Sequence, residues 1–304
     1  MADWYFRNSQ TNSVKACPEC GNLVRADQEF CPYCARRLGP ERGARGWLKR
    51  ALAAPAIATK GLIGAIAVFF FLQSLTDMLL PASLKSDAYG GLLGLSSAYP
   101  ATYALLGANH PRFILEYGQV WRFFTSCLLH FGFIHILFNC WALWDLGRIA
   151  EKLWGARQVF AVFVLTGICG SAASFAWNGL VLHRPVTSAG ASGAICGILG
   201  LFLGTYYRNR FHLGQILGAN LVRWAVYIIV FGLVMQADNA AHIGGMISGA
   251  AFGYFLVPAA RARRPALDAK IWTGLAVFAL VVAVVCLAFM GAYYVPHLFE
   301  RRIP

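Results

Sequence analysis

Residues 185–204, PVTSAGASGAICGILGLFLG, decide the fold of this chain. The segment is apolar, and its glycines recur at helical spacing, at Gly193, Gly197, Gly200 and Gly204. Such a stripe of small residues lets a second helix approach closely, which is typical of helix packing in membranes. Ser192 lies one position from the stripe, near the start of the predicted helix.

A second apolar segment, about fifty residues further on, carries a matching stripe. Its members are His242, Gly245, Gly249 and Gly253, so the histidine shares the close-packing face. A serine hydroxyl needs a neighbouring base to become a nucleophile. We therefore predict that Ser192 is a nucleophile and that His242 is its general base and then the general acid for the leaving amine.

Composition points to an all-α polytopic membrane protein. The chain has 304 residues, of which 58% are hydrophobic and 13% are charged. Soluble domains contain about 25% charged residues and seldom have runs of 18 or more apolar residues. The net charge of +13 does not indicate a nucleic-acid partner, because the basic residues lie between apolar segments without interleaved aromatics. The partner that the composition predicts is the lipid bilayer.

Seven membrane spans are predicted. They cover residues 61–80, 128–146, 159–177, 188–206, 221–235, 239–257 and 271–295. Residues 81–127 are too apolar for a free linker and too broken for a span, so we place them at the membrane interface. Residues 258–304 then form a cytosolic loop, the seventh helix and a short tail.

Residues 1–40 form a separate polar unit with two C-x-x-C pairs, Cys17/Cys20 and Cys31/Cys34. Four thiolates complete a tetrahedral shell with no open position, which predicts a structural zinc ribbon rather than a catalytic metal. Two disulfides or a redox pair are the alternatives. Residues 41–60 form a basic linker, and no cleavable signal peptide precedes the first span.

The distribution of Lys and Arg predicts a cytosolic N-terminus and an outside C-terminus. We expect the plasma or inner membrane of a prokaryote. In this orientation the second, fourth and sixth spans all run from outside to inside. Their polar residues then lie at one depth, in the outer part of the bilayer, where ionisable groups indicate function.

His135 and Asn139 are four residues apart, so they share a helical face. With the backbone N–H of Ser192 they could hold the oxyanion of an acyl-transfer intermediate. His130 lies about 140° round the same predicted helix, which makes its oxyanion role weaker. Asp238 is expected at the outer aqueous edge, so the prediction is a Ser-His dyad and not a triad. A lone Ser or His in a membrane helix is more often an interhelical hydrogen-bond partner, but the shared depth favours catalysis.

The motifs resemble those of the rhomboid intramembrane serine proteases. They are Gly190-Ala191-Ser192-Gly193, Ala241-His242-Ile243-Gly244-Gly245 with Gly249, and the set His130, His135 and Asn139; Trp121-Arg122 and Glu151 are also similar. The resemblance covers residues 61–257. It implies a six-helix bundle with a Ser-His dyad and no catalytic cofactor, whose substrates are single-span membrane proteins cut near the outer end of their helix. The seventh span gives a 6+1 arrangement.

Two other functions stay open. The first is a non-catalytic pseudoprotease that binds membrane clients, although such relatives typically lack the serine or histidine that this chain retains. The second is a transporter, or a membrane scaffold whose zinc ribbon recruits a cytosolic protein partner. A transporter predicts ionisable residues spread across the membrane, whereas here they cluster near one face.

Overall fold

The computed structural model describes residues 14–17, 22–25, 28, 31–34, 55–85, 98–209, 223–224, 226–228, 232, 238–257 and 265–298. These fall into two compact units, residues 1–54 and 55–304. Most of the predicted fifth span, residues 221–235, and the ligand Cys20 lie outside the described residues.

The first unit contains an antiparallel hairpin of β1, Val14–Ala16, and β2, Leu23–Arg25. After β1 the chain turns, and the Cys17 N–H donates to the Asn22 carbonyl at 2.9 Å. Cys17, Val24 and Cys31 are buried together in a small cluster. So small a core stabilises little by itself, and units of this size usually need a metal or disulfides.

The second unit is helical. Its helices are α1 Ile57–Leu79, α2 Pro100–Leu106, α3 Pro111–Tyr117, α4 Arg122–Thr125, α5 Phe133–Trp154, α6 Ala156–Ser174, α7 Ser192–Asn209, α8 Asn239–Leu256 and α9 Pro265–His297. A π-helix, Phe175–Val181, extends α6. The described part of the expected interfacial connection therefore contains three short α-helices, α2, α3 and α4. Helix α1 begins inside the segment predicted as basic linker.

Three described helices are long and apolar enough to cross a membrane, within Ile57–Leu79, Ala156–Val181 and Leu267–His297. A fourth span results if Arg122–Leu128 and Phe133–Trp154, bent by 95°, are counted together. The protein is thus an integral membrane protein built from helices. The glycine-rich α7 and α8 have 18 residues each and do not meet this criterion of apolar character.

Helix α7 forms the centre of the bundle and packs along α8. A Cβ at Gly245 would overlap the Gly193 carbonyl, and a Cβ at Gly249 would overlap the Gly197 carbonyl. Only glycine permits this approach, so the backbones of the two helices touch. The prediction that the two stripes meet is confirmed.

The predicted second span, residues 128–146, is not one continuous helix. The chain bends at residues 129–132, where Gly132 has φ +113°, and α5 starts at Phe133 and continues to Trp154. The bend leaves backbone groups of His130 without helical partners, and the Gln73 side chain of α1 pairs with both, at 2.9 Å each. The sequence could not reveal this, because the partner is on another helix.

The connection before α5 is held by Arg122, whose side chain is fully buried. Its guanidinium donates to the carbonyls of Ala104, at 2.7 Å, and Ala108, at 3.0 Å, and to the Gln119 side chain, at 2.7 Å. These bonds tie the end of α2 to the start of α4. The seventh predicted span, α9, packs at the same end, with the Tyr294 hydroxyl 2.9 Å from Thr76 Oγ1 of α1.

Candidate active site

Ser192 and His242 meet at the starts of α7 and α8. Ser192 Oγ lies 2.8 Å from Nε2 of His242, and the close contact of the two glycine stripes sets this distance. Ser192 is the first residue of α7 and His242 is the fourth residue of α8. The contact between the two helix backbones therefore fixes how closely these side chains approach each other. A hydroxyl that donates to an imidazole nitrogen is the arrangement that nucleophilic catalysis requires.

A cavity of about 50 Å³ opens beside this pair. Its lining consists of His135, Phe138, Asn139, Ala142, Ser192, Ile195, Trp224, Tyr227, Ile228 and His242. The structure therefore brings His135 and Asn139 together with Ser192 and His242. The cavity is much smaller than the roughly 300–1,000 Å³ of ordinary ligand pockets.

Asn139 and His135 present hydrogen-bond donors near Ser192. The buried Nδ2 of Asn139 has no hydrogen-bond partner among the described residues. Nδ1 of His135 accepts from the Phe131 N–H at 3.3 Å, which leaves Nε2 to carry the proton. That ring lies against Gly190, where a Cβ would be 2.8 Å from Cε1 of His135, and Gly190 has φ +133°. Because α7 begins at Ser192, its N–H also has no intrahelical acceptor.

His130 does not line this cavity. His130 precedes α5, so His130 and His135 do not share one helix. The predicted angle of about 140° between them is therefore wrong. Its ring is fully buried, with Nε2 3.5 Å from the Ala191 N–H and its centroid 5.0 Å from that of His135. His130 therefore contacts the backbone before Ser192 and not the hydroxyl.

The sequence suggested that Asp238 faces water at the outer edge, but its carboxylate is hydrogen-bonded within the protein. Its carboxylate caps α8 by accepting from the Ala241 N–H at 3.2 Å, and it also accepts from Ser174 and from Asn178. The carboxylate thus links the start of α8 to Ser174 and Asn178. A dyad without an acidic member stays a prediction.

A second, larger cavity of about 290 Å³ is also lined by Ser192 and His135. Residues 186–190 line it, together with Ser126, Ser171 and Asp238. The hydroxyls of Ser126 and Ser171 are 3.0 Å apart. This polar lining distinguishes it from the aromatic first cavity.

Sequence analysis missed one wall of the first cavity, which consists of Phe138, Trp224 and Tyr227. The Trp224 Nε1–H donates to the Asp145 carboxylate at 2.7 Å, and Arg223 donates to the same carboxylate at 3.0 Å. Arg223 is therefore paired with α5 through Asp145. The available signal was Asp145, a charged residue within an apolar helix.

In the N-terminal unit, the sulfurs of Cys17, Cys31 and Cys34 all lie within 4.8 Å of one another. Cys17 Sγ is 3.6 Å from Cys34 Sγ. Zn–S bonds of about 2.3 Å at a tetrahedral ion separate the sulfurs by about 3.8 Å, so the three described residues fit such a site. The predicted fourth ligand, Cys20, lies outside the described residues.

Residues 117–259 match the rhomboid domain family, and residues 12–39 match a domain family of unknown function, DUF7575. The rhomboid protease GluP of Bacillus subtilis is 37% identical over 149 residues, 49% of this chain and 28% of the relative. The rhomboid protease AarA of Providencia stuartii is 31% identical over 176 residues, 51% of this chain and 62% of the relative. RHOMBOID-like protein 1 of Arabidopsis thaliana is 33% identical over 173 residues, 55% of this chain and 41% of the relative.

The chain thus spans less than two thirds of the length of each of these relatives. Within the membrane unit, residues 117–259 are therefore similar to the rhomboid domain family. Relatives from plants and from Toxoplasma gondii also match, so a prokaryotic origin stays a prediction.

Proposed function

We propose that this chain is a rhomboid-type intramembrane serine endopeptidase whose catalytic dyad is Ser192 and His242. The observation that carries the proposal is the 2.8 Å contact between Ser192 Oγ and His242 Nε2, at one end of two helices within the region that matches the rhomboid domain. The polypeptide supplies every reacting group, so catalysis needs no cofactor.

His242 takes the Ser192 proton while Oγ attacks the scissile carbonyl. The negative charge on the carbonyl oxygen is held by the Asn139 amide, the Ser192 N–H and the His135 ring. His242 then gives its proton to the leaving amine, which yields an acyl-enzyme. A water activated by His242 hydrolyses this ester and regenerates Ser192. His130 is a weaker candidate for the oxyanion site, because its Nε2 faces Ala191.

The substrates proposed are single-span membrane proteins, cut near the outer end of their helix. The proposal rests on the position of the dyad at the starts of α7 and α8, which face outside if the N-terminus is cytosolic. In that orientation a seventh span carries the C-terminus outside, and the spans form a 6+1 arrangement.

For the N-terminal unit we propose a structural zinc ribbon with Cys17, Cys20, Cys31 and Cys34 as ligands. The clustered sulfurs of the three described ligands support it. Such a site would contribute folding free energy to a unit with little core and would supply no catalytic group. Its exposed surface would be available to a cytosolic protein partner.

The proposal is tested by expressing the chain with a panel of single-span reporter proteins. Wild type should cleave a reporter near the outer end of its helix, whereas Ser192→Ala and His242→Ala should insert normally and cleave nothing. A fluorophosphonate probe should label wild type at Ser192. A wild type that binds reporters without cleavage or labelling would instead indicate a pseudoprotease.

A further inference from the structure

We infer that Gln73, on α1, is a positioning residue for the proposed protease: it acts through His130 to hold the backbone immediately before Ser192. This inference deepens the proposed function and rests on it. Gln73 is outside the resembling motifs, and the sequence gives it no role beyond that of a polar residue in an apolar span.

The bend between α4 and α5 creates the need for such a residue. Backbone groups that leave a helix within a membrane must find partners inside the protein, because lipid offers none. Gln73 Nε2 donates to the His130 carbonyl and Gln73 Oε1 accepts from the His130 N–H, both at 2.9 Å. With a side chain only 2% exposed, Gln73 completes the backbone pairing that the bend removes.

These two bonds fix where the His130 ring lies. A third bond, from the Tyr103 hydroxyl to the His130 carbonyl at 3.1 Å, fixes the carbonyl but leaves the N–H to Gln73 alone. Because both backbone groups of His130 are held, its ring is directed toward α7, where Nε2 lies 3.5 Å from the Ala191 N–H. The His130 ring also contacts the ring of His135.

The segment reached in this way leads directly into the nucleophile. Gly190 N–H donates to the Ser126 carbonyl at 2.9 Å, and the next amide, that of Ala191, faces His130. These contacts determine where α7 starts. They therefore also set the direction of the Ser192 N–H and the position of Ser192 Oγ relative to His242. A displacement of His130 would therefore change the geometry of attack more than the binding of a substrate helix.

The test compares purified Gln73→Met with wild type on a cleaved reporter. Methionine keeps the length and apolar stem but removes both hydrogen bonds. We expect kcat to fall by about tenfold to a hundredfold, with KM within about twofold, because a small misplacement of reacting groups affects turnover. Fluorophosphonate labelling of Ser192 should slow by a similar factor.

Thr76→Val is the matched control, since Thr76 is also buried on α1 but contacts Tyr294. It should lower the melting temperature and leave kcat and the labelling rate near wild type. Gln73→Glu, assayed at a pH at which the carboxyl is ionised, keeps the acceptor for the His130 N–H but loses the donor to the His130 carbonyl. It should then give an intermediate kcat, which decides the matter if Gln73→Met does not fold.

The inference would be overturned if folded Gln73→Met had the same kcat as wild type. If the Met variant does not fold, an equal kcat for Gln73→Glu and wild type would overturn it. A loss confined to KM would also overturn it. A wild type that neither cleaves nor labels would contradict the proposed function itself, which is a distinguishable result.

Discussion

The carboxylate of Glu151, near the end of α5, holds the start of α1 through Thr59: it accepts from the Thr59 N–H at 3.0 Å and from the Thr59 hydroxyl at 2.8 Å. The other oxygen accepts from the Ala58 N–H at 3.0 Å. Glu151 thus caps a helix that begins about ninety residues earlier in the chain, and the negative charge lies at the positive end of the helix dipole.

Glu151→Ala should therefore destabilise the membrane unit. The loss of a helix cap costs about 1–2 kcal/mol, and the N–H groups left inside the protein add to this. The melting temperature in detergent should fall. Glu116→Ala is the control, because Glu116 pairs with Arg112 at an exposed site and should change stability little. Equal melting temperatures for both variants would contradict the capping role.

Asn139→Ala should reduce turnover without preventing acylation by a reactive probe. Its Nδ2 is buried and has no acceptor in the part of the chain that the structure describes, so a developing oxyanion would be its partner. Removal of one such donor costs about a hundred- to a thousandfold in kcat. The measurement is kcat on a reporter, with fluorophosphonate labelling of Ser192 at least partly retained. Normal kcat would exclude Asn139 from the oxyanion site.

Gly245→Val should abolish most activity, because any Cβ there overlaps the Gly193 carbonyl beside Ser192. A shift of about 1 Å can cost about a hundredfold in rate. Gly253→Val, deeper on the same face, should lower the melting temperature more than activity. Gly274→Ala on α9 is the control, since no atom lies within 4 Å of its added Cβ. Full activity of Gly245→Val would show that the helix contact does not set the dyad.

Purified protein should contain one zinc ion per chain, measured by elemental analysis. The double variant Cys17→Ser/Cys20→Ser should lose the metal, because two of four ligands are removed. Reporter cleavage in detergent should continue, since the ribbon supplies no catalytic ligand. Oxidised cysteines in place of zinc, or activity that disappears with the metal, would refute the structural assignment.

Membrane orientation can be tested with introduced cysteines, after the exposed Cys34 and Cys169 have been replaced by serine. Val186 and Tyr207 are both exposed; Val186 precedes α7, and Tyr207 lies in its last turn. A membrane-impermeant maleimide added from outside should label Val186→Cys and not Tyr207→Cys. The reverse pattern would invert the proposed topology and move the site of cleavage to the cytosolic side.

Sequence analysis predicted the contact of α7 and α8 because glycines at helical spacing report close packing directly. It also placed Ser192, His242, His135 and Asn139 at one level, and the structure brings these four side chains to one cavity. Local pattern was sufficient there, because each residue lies within a regular helix.

The course of the second span could not be predicted in the same way. Residues 128–131 are Leu-Leu-His-Phe, which continue an apolar run, and the bend is stabilised by Gln73 from another helix. The burial of Arg122 likewise depends on carbonyl groups of α2 and its following turn. The placement of His130 and Arg122 depends on partners that are distant in the chain. The periodicity of the sequence does not reveal such partners.

The bond between Thr76 and Tyr294 joins residues 218 positions apart, and Leu298 packs with Leu80 and Leu105 at the same end of the bundle. A ribosome makes the first of these residues long before the last. The C-terminal end of α1 can therefore pair with α9 only after the helices between them have been synthesised. In the nascent chain, the contact between α1 and α9 should accordingly form after the contact between α7 and α8.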